Sequence, residues 1–192
     1  MSRKLGLLVL LLALVSISPA HAADTSSTFK QPDLVSFGVS YFDFDKDEPH
    51  KQSVDFRGEY RWGLSMLPLI SPWFKSWDQY VQFHPYAGLE VTSLGMLYGN
   101  GGWAMDAYLG RHFVFTWSEG VGLYEGGDMT ILGSVIEFRS MAELGYRFDN
   151  EMRLTGQISH ISNAGLTSRN PGAEIAGLYL HMPISMICGG KQ

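Results

Sequence analysis

The chain of 192 residues contains a single cysteine and few charged side chains, which make up 17% of its residues. Ordinary soluble domains are about 25% charged. One cysteine excludes an intramolecular disulfide framework and a multi-cysteine zinc site. The formal net charge of −5 lacks the basic excess that phosphate binding requires, so we expect no nucleic-acid partner.

Long hydrophobic runs are also missing beyond the N-terminus. Residues 1–22 carry two basic residues, an apolar run over 5–17 and a small-x-small pattern that ends at Ala22. This arrangement predicts a cleaved signal peptide over 1–22, because the run is shorter than the roughly 20 residues that a spanning helix needs. No segment of 23–192 is apolar and long enough to cross a membrane as a helix, so the mature chain either is soluble or crosses a membrane as strands.

The clearest pattern in the chain is the two-residue alternation of β-strands. Residues 54–62 place an apolar residue or glycine at each even position and a charged residue at each odd position up to 61. Residues 81–91 alternate in the same way, with apolar residues at odd positions. The pattern predicts eight strands of about ten residues, the length that a tilted membrane-spanning strand needs. The other six candidates are 34–43, 102–111, 113–124, 135–147, 151–162 and 173–184.

Two classes of β protein fit such alternation. Asp55, Arg57, Glu59 and Arg61 would share one face, either in the paired interior of a narrow barrel or on the solvated face of a sandwich. The signal peptide, the even strand number and the aromatic content favour an eight-stranded antiparallel transmembrane β-barrel in the bacterial outer membrane, spanning residues 23–192. We expect its aromatic girdles to include Tyr60, Trp62, Tyr80, Trp103, Trp117 and Tyr146. His84 and Glu90 are expected to face the interior.

Connection lengths agree with this barrel. With the N-terminus in the periplasm, the outward connections are long and the inward ones are tight, as at His112 and around 149–150. The inward connection 63–79 is the exception and predicts a periplasmic plug or an interfacial helix. The predicted outward loops are 44–52, 94–101, 125–134 and 163–172.

Three reactive side chains gather on one predicted hairpin. Continuing the alternation places His160 and Ser162 on the lipid-facing side of strand seven, and Glu174 on the same side of strand eight. Ionisable groups that face hydrocarbon are costly, which favours a functional role over an accidental one. A serine becomes a nucleophile when a histidine takes its proton, and a carboxylate orients that histidine.

The same segment carries a family resemblance. The run His-Ile-Ser-Asn-Ala-Gly over 160–165, then Asn-Pro-Gly over 170–172 and Glu174, resembles the active-site signature of the PagL-type lipid A 3-O-deacylases. The resemblance implies an eight-stranded outer-membrane barrel that removes the ester-linked acyl chain at the 3 position of lipid A. Its implied roles are nucleophile for Ser162, base for His160, orienting acid for Glu174, and oxyanion hole for Asn163, Gly165 and Asn170.

The resemblance implies lipid A, or lipopolysaccharide, as substrate and partner, with no metal or other cofactor. A homodimer stays open. Two alternatives from other classes also stay open: a non-catalytic structural or binding barrel, and an outer-membrane phospholipase that uses the same serine chemistry.

Overall fold

A computed structural model describes residues 31–45, 52–66, 73, 77–126 and 132–189. Within them, eight antiparallel strands form one closed barrel in which each strand pairs with its sequence neighbours and the last returns to the first. The predicted fold class is confirmed. The strands are β1 (Leu34–Phe42), β2 (Ser53–Arg61), β3 (Val81–Thr92), β4 (Leu97–Leu109), β5 (Phe113–Glu125), β6 (Ile136–Arg147), β7 (Arg153–Ser162) and β8 (Ala173–Pro183).

One short helix, α1 (Ile184–Cys188), follows the barrel. No helix in the described ranges is both long and apolar enough to span a membrane. The predicted signal peptide over 1–22 lies outside the described residues, and so does most of the predicted plug or interfacial helix over 63–79.

The two-residue alternation determines which side chains fill the barrel. In β2 the odd-numbered residues are buried, whereas Phe56 on the opposite face is 53% exposed. Because successive side chains of a strand point to opposite faces, the register of the barrel fixes an interior and an outer wall. Large apolar side chains are exposed on every strand and cover much of that outer wall.

The interior holds a network of buried ion pairs. Arg139 contacts Glu90 at 2.5 Å and Glu59 at 3.2 Å, and Arg57 contacts Glu90 at 3.0 Å. Arg61 contacts Glu59 at 2.8 Å. Buried charges are tolerated when each has a partner, so the alternating signs along β2 satisfy one another and their neighbours. The predicted inward direction is confirmed for six residues, all of them buried: Asp55, Arg57, Glu59, Arg61, His84 and Glu90.

One end of the barrel carries the connections 43–52, 93–96, 126–135 and 163–172, and we call it the loop end. Its interior combines buried apolar side chains with buried carboxylates such as Asp55. A cluster of buried side chains closes it, formed by Phe42, Met96, Tyr98, Tyr124, Leu132, Ile161, Ala173 and Ile175. Leu132 belongs to the loop between β5 and β6, so this loop is anchored in the barrel interior beside the end of β7.

The start of β4 differs from its prediction. The strand begins at Leu97, and the glycine-rich residues 99–102, expected to belong mostly to a loop over 94–101, lie inside it. The connection from β3 is therefore a tight turn over 93–96. Glycine is required by close strand contact here, since a Cβ on Gly102 would lie 2.0 Å from the Glu119 carbonyl oxygen.

The predicted aromatic girdle is correct only in part. Tyr60 and Tyr146 lie near the ends of their strands, whereas Trp103 is at the middle of β4 and Trp117 lies well inside β5. Both tryptophans belong to the outer wall, but they are not at a strand end. An aromatic residue in a strand also packs against cross-strand neighbours, so its type alone does not give its depth.

Candidate active site on the outer wall

The hairpin of β7 and β8 brings two of the predicted residues into direct contact. His160 and Glu174 are opposite each other in the strand register. The His160 Nδ1 and Glu174 Oε1 atoms are 2.6 Å apart, and the two side chains remain 46% and 34% exposed on the outer wall. The predicted placement of His160 and Glu174 on the same side of this hairpin is confirmed.

This contact determines what the other nitrogen of the imidazole can do. A carboxylate accepts hydrogen bonds, so the Nδ1–H group of His160 donates to Glu174. The neutral ring then carries its lone pair on Nε2, where it can accept a proton from a hydroxyl group. This tautomer is the one that a serine hydrolase requires of its base.

Gly172 borders the same edge of the imidazole. A Cβ atom on this residue would lie 2.8 Å from His160 Cε1 and 3.4 Å from His160 Nε2. The backbone of Gly172 also has a φ of +64°, which favours glycine. Gly172 therefore leaves the space that the His160 ring occupies.

Ser162 is the last residue of β7 and lies two positions beyond His160 on the same face. Two residues of a strand span about 6.8 Å. Its side chain is partly exposed, and among the described residues its hydroxyl group has no hydrogen-bond partner. The contact between a nucleophile and its base is often long in an unliganded enzyme and shortens around the substrate. Ser162 is therefore on the correct face, beside the base.

The loop over 163–172 is organised by Asn163, which is completely buried. Its Nδ2 group donates to the backbone oxygens of Leu132 at 3.2 Å and Arg169 at 2.8 Å. Its Oδ1 atom accepts from the backbone N–H group of Gly165 at 3.0 Å. These bonds tie the loop to itself and to the neighbouring β5–β6 loop.

The three residues predicted for the oxyanion hole differ in whether their donor groups already form hydrogen bonds within the protein. The backbone N–H group of Asn163 donates to Asn170 Oδ1 at 3.0 Å, and the Gly165 N–H group is bonded to Asn163. Asn170 uses its Oδ1 atom in this contact. Its Nδ2 group has no hydrogen-bond partner among the described residues. Asn163 and Gly165 thus shape the loop, and Asn170 offers the available side-chain donor.

Several residues that support this site were not assigned a role from the sequence. In the sequence, Gly172 stands out only as part of the Asn-Pro-Gly run, which is also a common turn sequence. Leu132 and Gly133 come from the β5–β6 loop, and Thr167 Oγ1 donates to the Gly133 oxygen at 3.1 Å. No sequence signal links 132–133 to 163–172, because the contact forms between two loops that are distant in the chain.

The site opens toward the outside of the barrel and not toward its interior. Ile158 and Leu178 on the outer wall and Leu166 in the adjoining loop are each more than half exposed. Ile161, between His160 and Ser162, faces inward and is buried. The arrangement can therefore act on an ester that approaches along an apolar surface.

A protein-family model described as lipid A 3-O-deacylase (PagL) matches residues 54–183. The chain belongs to this family. The resemblance inferred from residues 160–174 is confirmed. This PagL family member is an outer-membrane β-barrel. Its family consists of lipid A deacylases, which are ester hydrolases.

Solved structures agree with the fold. A structure described as the crystal structure of the outer membrane enzyme PagL is 20% identical, with a TM-score of 0.59, and the match covers 78% of this chain and 99% of that one. A de novo designed transmembrane β-barrel is 13% identical, with a TM-score of 0.50, over 81% of this chain and 100% of the design. At these identities the likeness concerns the fold alone. No curated protein sequence matches the chain significantly.

Proposed function

We propose that this PagL family member hydrolyses the ester bond at the 3 position of lipid A and releases a fatty acid. The proposal assigns Ser162 as the nucleophile, His160 as the general base and Glu174 as the acid that orients it. The observation that carries it is the 2.6 Å contact between His160 Nδ1 and Glu174, beside a serine on the same face of the outer wall.

The proposed reaction begins when Ser162 Oγ attacks the ester carbonyl and its proton moves to His160 Nε2. Glu174 stabilises the imidazolium that forms. The tetrahedral intermediate collapses, the bond to the sugar oxygen breaks, and His160 returns its proton to that oxygen. Water, activated by the same base, then attacks the acyl group on Ser162 and releases the fatty acid.

Asn170 is the proposed donor to the oxyanion. Its Oδ1 atom is held by the Asn163 N–H group, so the amide is oriented before substrate arrives. A fixed donor of this kind contributes on the order of 10²–10³ in kcat. In this proposal Asn163 and Gly165 act by holding the loop, and every proton transfer uses groups of one chain, so neither a metal nor a homodimer is needed.

Mass spectrometry of lipid A tests this function. Cells that express the wild-type chain should contain lipid A that lacks the 3-linked acyl group, and cells that express Ser162→Ala should not. Ser168→Ala is the matched control, because it removes an exposed serine from the loop that follows Ser162. Full deacylation by a folded Ser162→Ala protein would eliminate the nucleophile assignment.

The same spectra separate the alternatives. Cleavage of glycerophospholipids with intact lipid A would retain the serine chemistry and overturn the substrate. An unchanged pool of both lipids would favour a structural or binding barrel. His160→Gln should lose about as much activity as Ser162→Ala, and Glu174→Ala should lose less, as orienting acids do in other serine hydrolases.

A further inference from the structure

The outward face of β5 is apolar from Phe113 to Leu123 except at one residue. Glu119 lies at the middle of this strand, six residues from either end. Its neighbours on that face are Phe113, Phe115, Trp117, Val121 and Leu123. A carboxylate within the apolar band of a membrane barrel is costly, so such a residue is expected to serve a function.

The carboxylate is held in place by two neighbouring donors. Trp117 Nε1 donates to Glu119 Oε1 at 2.9 Å, and Ser140 Oγ donates to Glu119 Oε2 at 2.7 Å. A carboxylate offers about four acceptor positions. Two of them are used, and the side chain is partly exposed, so Glu119 can accept further hydrogen bonds from the outer wall.

The strand register connects this carboxylate to the proposed catalytic residues. Glu119 is opposite Ser140, Ser140 is opposite His160, and His160 is opposite Glu174. These four outward-facing residues form one row across β5 to β8. Neighbouring strands are about 4.8 Å apart, so the backbones of Glu119 and His160 are separated by roughly 10 Å on the same wall.

We propose that Glu119, fixed by Trp117 and Ser140, is a second lipid-binding subsite that accepts a hydrogen bond from a hydroxyl or amide N–H group of the substrate. This inference rests on the proposed function and adds a contact to it. Because Ser162 lies two residues further along β7, the backbones of Glu119 and Ser162 are roughly 12 Å apart on the outer wall. Two parts of an acylated amino sugar carry such donors: the sugar itself and a hydroxylated neighbouring acyl chain.

The subsite acts by positioning the lipid and not by chemistry. A hydrogen bond to a charged acceptor is among the stronger ones in proteins, and its loss corresponds to a factor of about 10 or more in binding. Glu119→Ala should therefore raise KM about tenfold or more and change kcat little. Glu119→Gln keeps the shape of the side chain and one acceptor oxygen, so its KM should lie between those of the wild type and Glu119→Ala.

Kinetics with purified, detergent-solubilised protein test the proposal. The probes are a synthetic lipid A with hydroxylated acyl chains and an analogue without those hydroxyl groups. Val121→Ala, on the same face of the same strand, is the matched control and should keep the wild-type KM. If Glu119→Ala weakens binding of both lipids equally, the donor is on the sugar. If it weakens only the hydroxylated lipid, the donor is on the acyl chain. An unchanged KM for both would overturn the subsite.

A binding measurement separates this inference from the catalytic proposal. The Kd of synthetic lipid A is measured in the Ser162→Ala background, with Glu119 either present or replaced by alanine. Weaker binding without Glu119 supports the subsite even if the wild-type chain fails to cleave lipid A. Equal binding overturns the subsite even if cleavage is confirmed. Heat-modifiable gel mobility verifies folding of each variant, and Glu119→Gln replaces Glu119→Ala if the latter does not fold.

Discussion

Replacing Gly172 by alanine tests how the His160 ring is held. The added Cβ atom would lie 2.8 Å from His160 Cε1, whereas ordinary contacts begin near 3.4 Å. The ring must therefore move by at least about 0.6 Å or rotate away from Glu174. Because a misplacement of about 1 Å can cost on the order of 10²-fold in rate, we expect kcat/KM on lipid A to fall roughly 10- to 100-fold.

The control for this variant is Gly95→Ala in the turn between β3 and β4. Gly95 has a φ of +81°, similar to the +64° of Gly172, but no atom lies within 4 Å of a Cβ placed there. Both substitutions should cost about 1–2 kcal/mol of stability through backbone strain. Only Gly172→Ala should lose activity. Equal activity of the two folded variants would refute the view that Gly172 makes room for the base.

Two further predictions concern the interior and the register. Arg139→Leu removes one of the two arginine partners of both Glu59 and Glu90, leaves an excess negative charge buried in the interior, and should destabilise the barrel by about 3–5 kcal/mol in urea titrations. Arg111→Ala breaks a largely exposed pair and should have little effect. An unchanged midpoint for Arg139→Leu would contradict the paired interior. In a Cys188→Ser background, a cysteine at Phe56 should react with a lipid-soluble thiol reagent and a cysteine at Arg57 should not, and the reverse would contradict the strand register.

Much of the fold could be predicted because one physical pattern repeats in every strand. The alternation of β2 predicts both the barrel interior and the direction of Arg57, and the same alternation in β7 and β8 predicts that His160 and Glu174 share the outward face. The start of β4 was missed because glycines are typical of loops as well as of closely packed strands. Gly102 belongs to a strand because the neighbouring strand approaches it too closely for a side chain.

The candidate site also has features that the sequence predicts and features that it does not. His160, Ser162 and Glu174 belong to one hairpin, so spacing and parity were sufficient to place them together. The loop contacts of Asn163 required the position of Leu132, which lies 31 residues earlier in the chain. The row from Glu119 to His160 likewise depends on the register of three strands. Sequence periodicity gives the face of each strand but not its register against a neighbour.

Covalent labelling tests the central claim most directly. A long-chain alkyl fluorophosphonate reacts with an activated serine and mimics an acyl ester at an apolar surface. The wild-type barrel should gain one label, located by peptide mass spectrometry on Ser162, and His160→Gln should be labelled far more slowly. Ser162→Ala should gain none. A label on another serine, such as Ser140, in a Ser162→Ala protein that still deacylates lipid A would contradict the account.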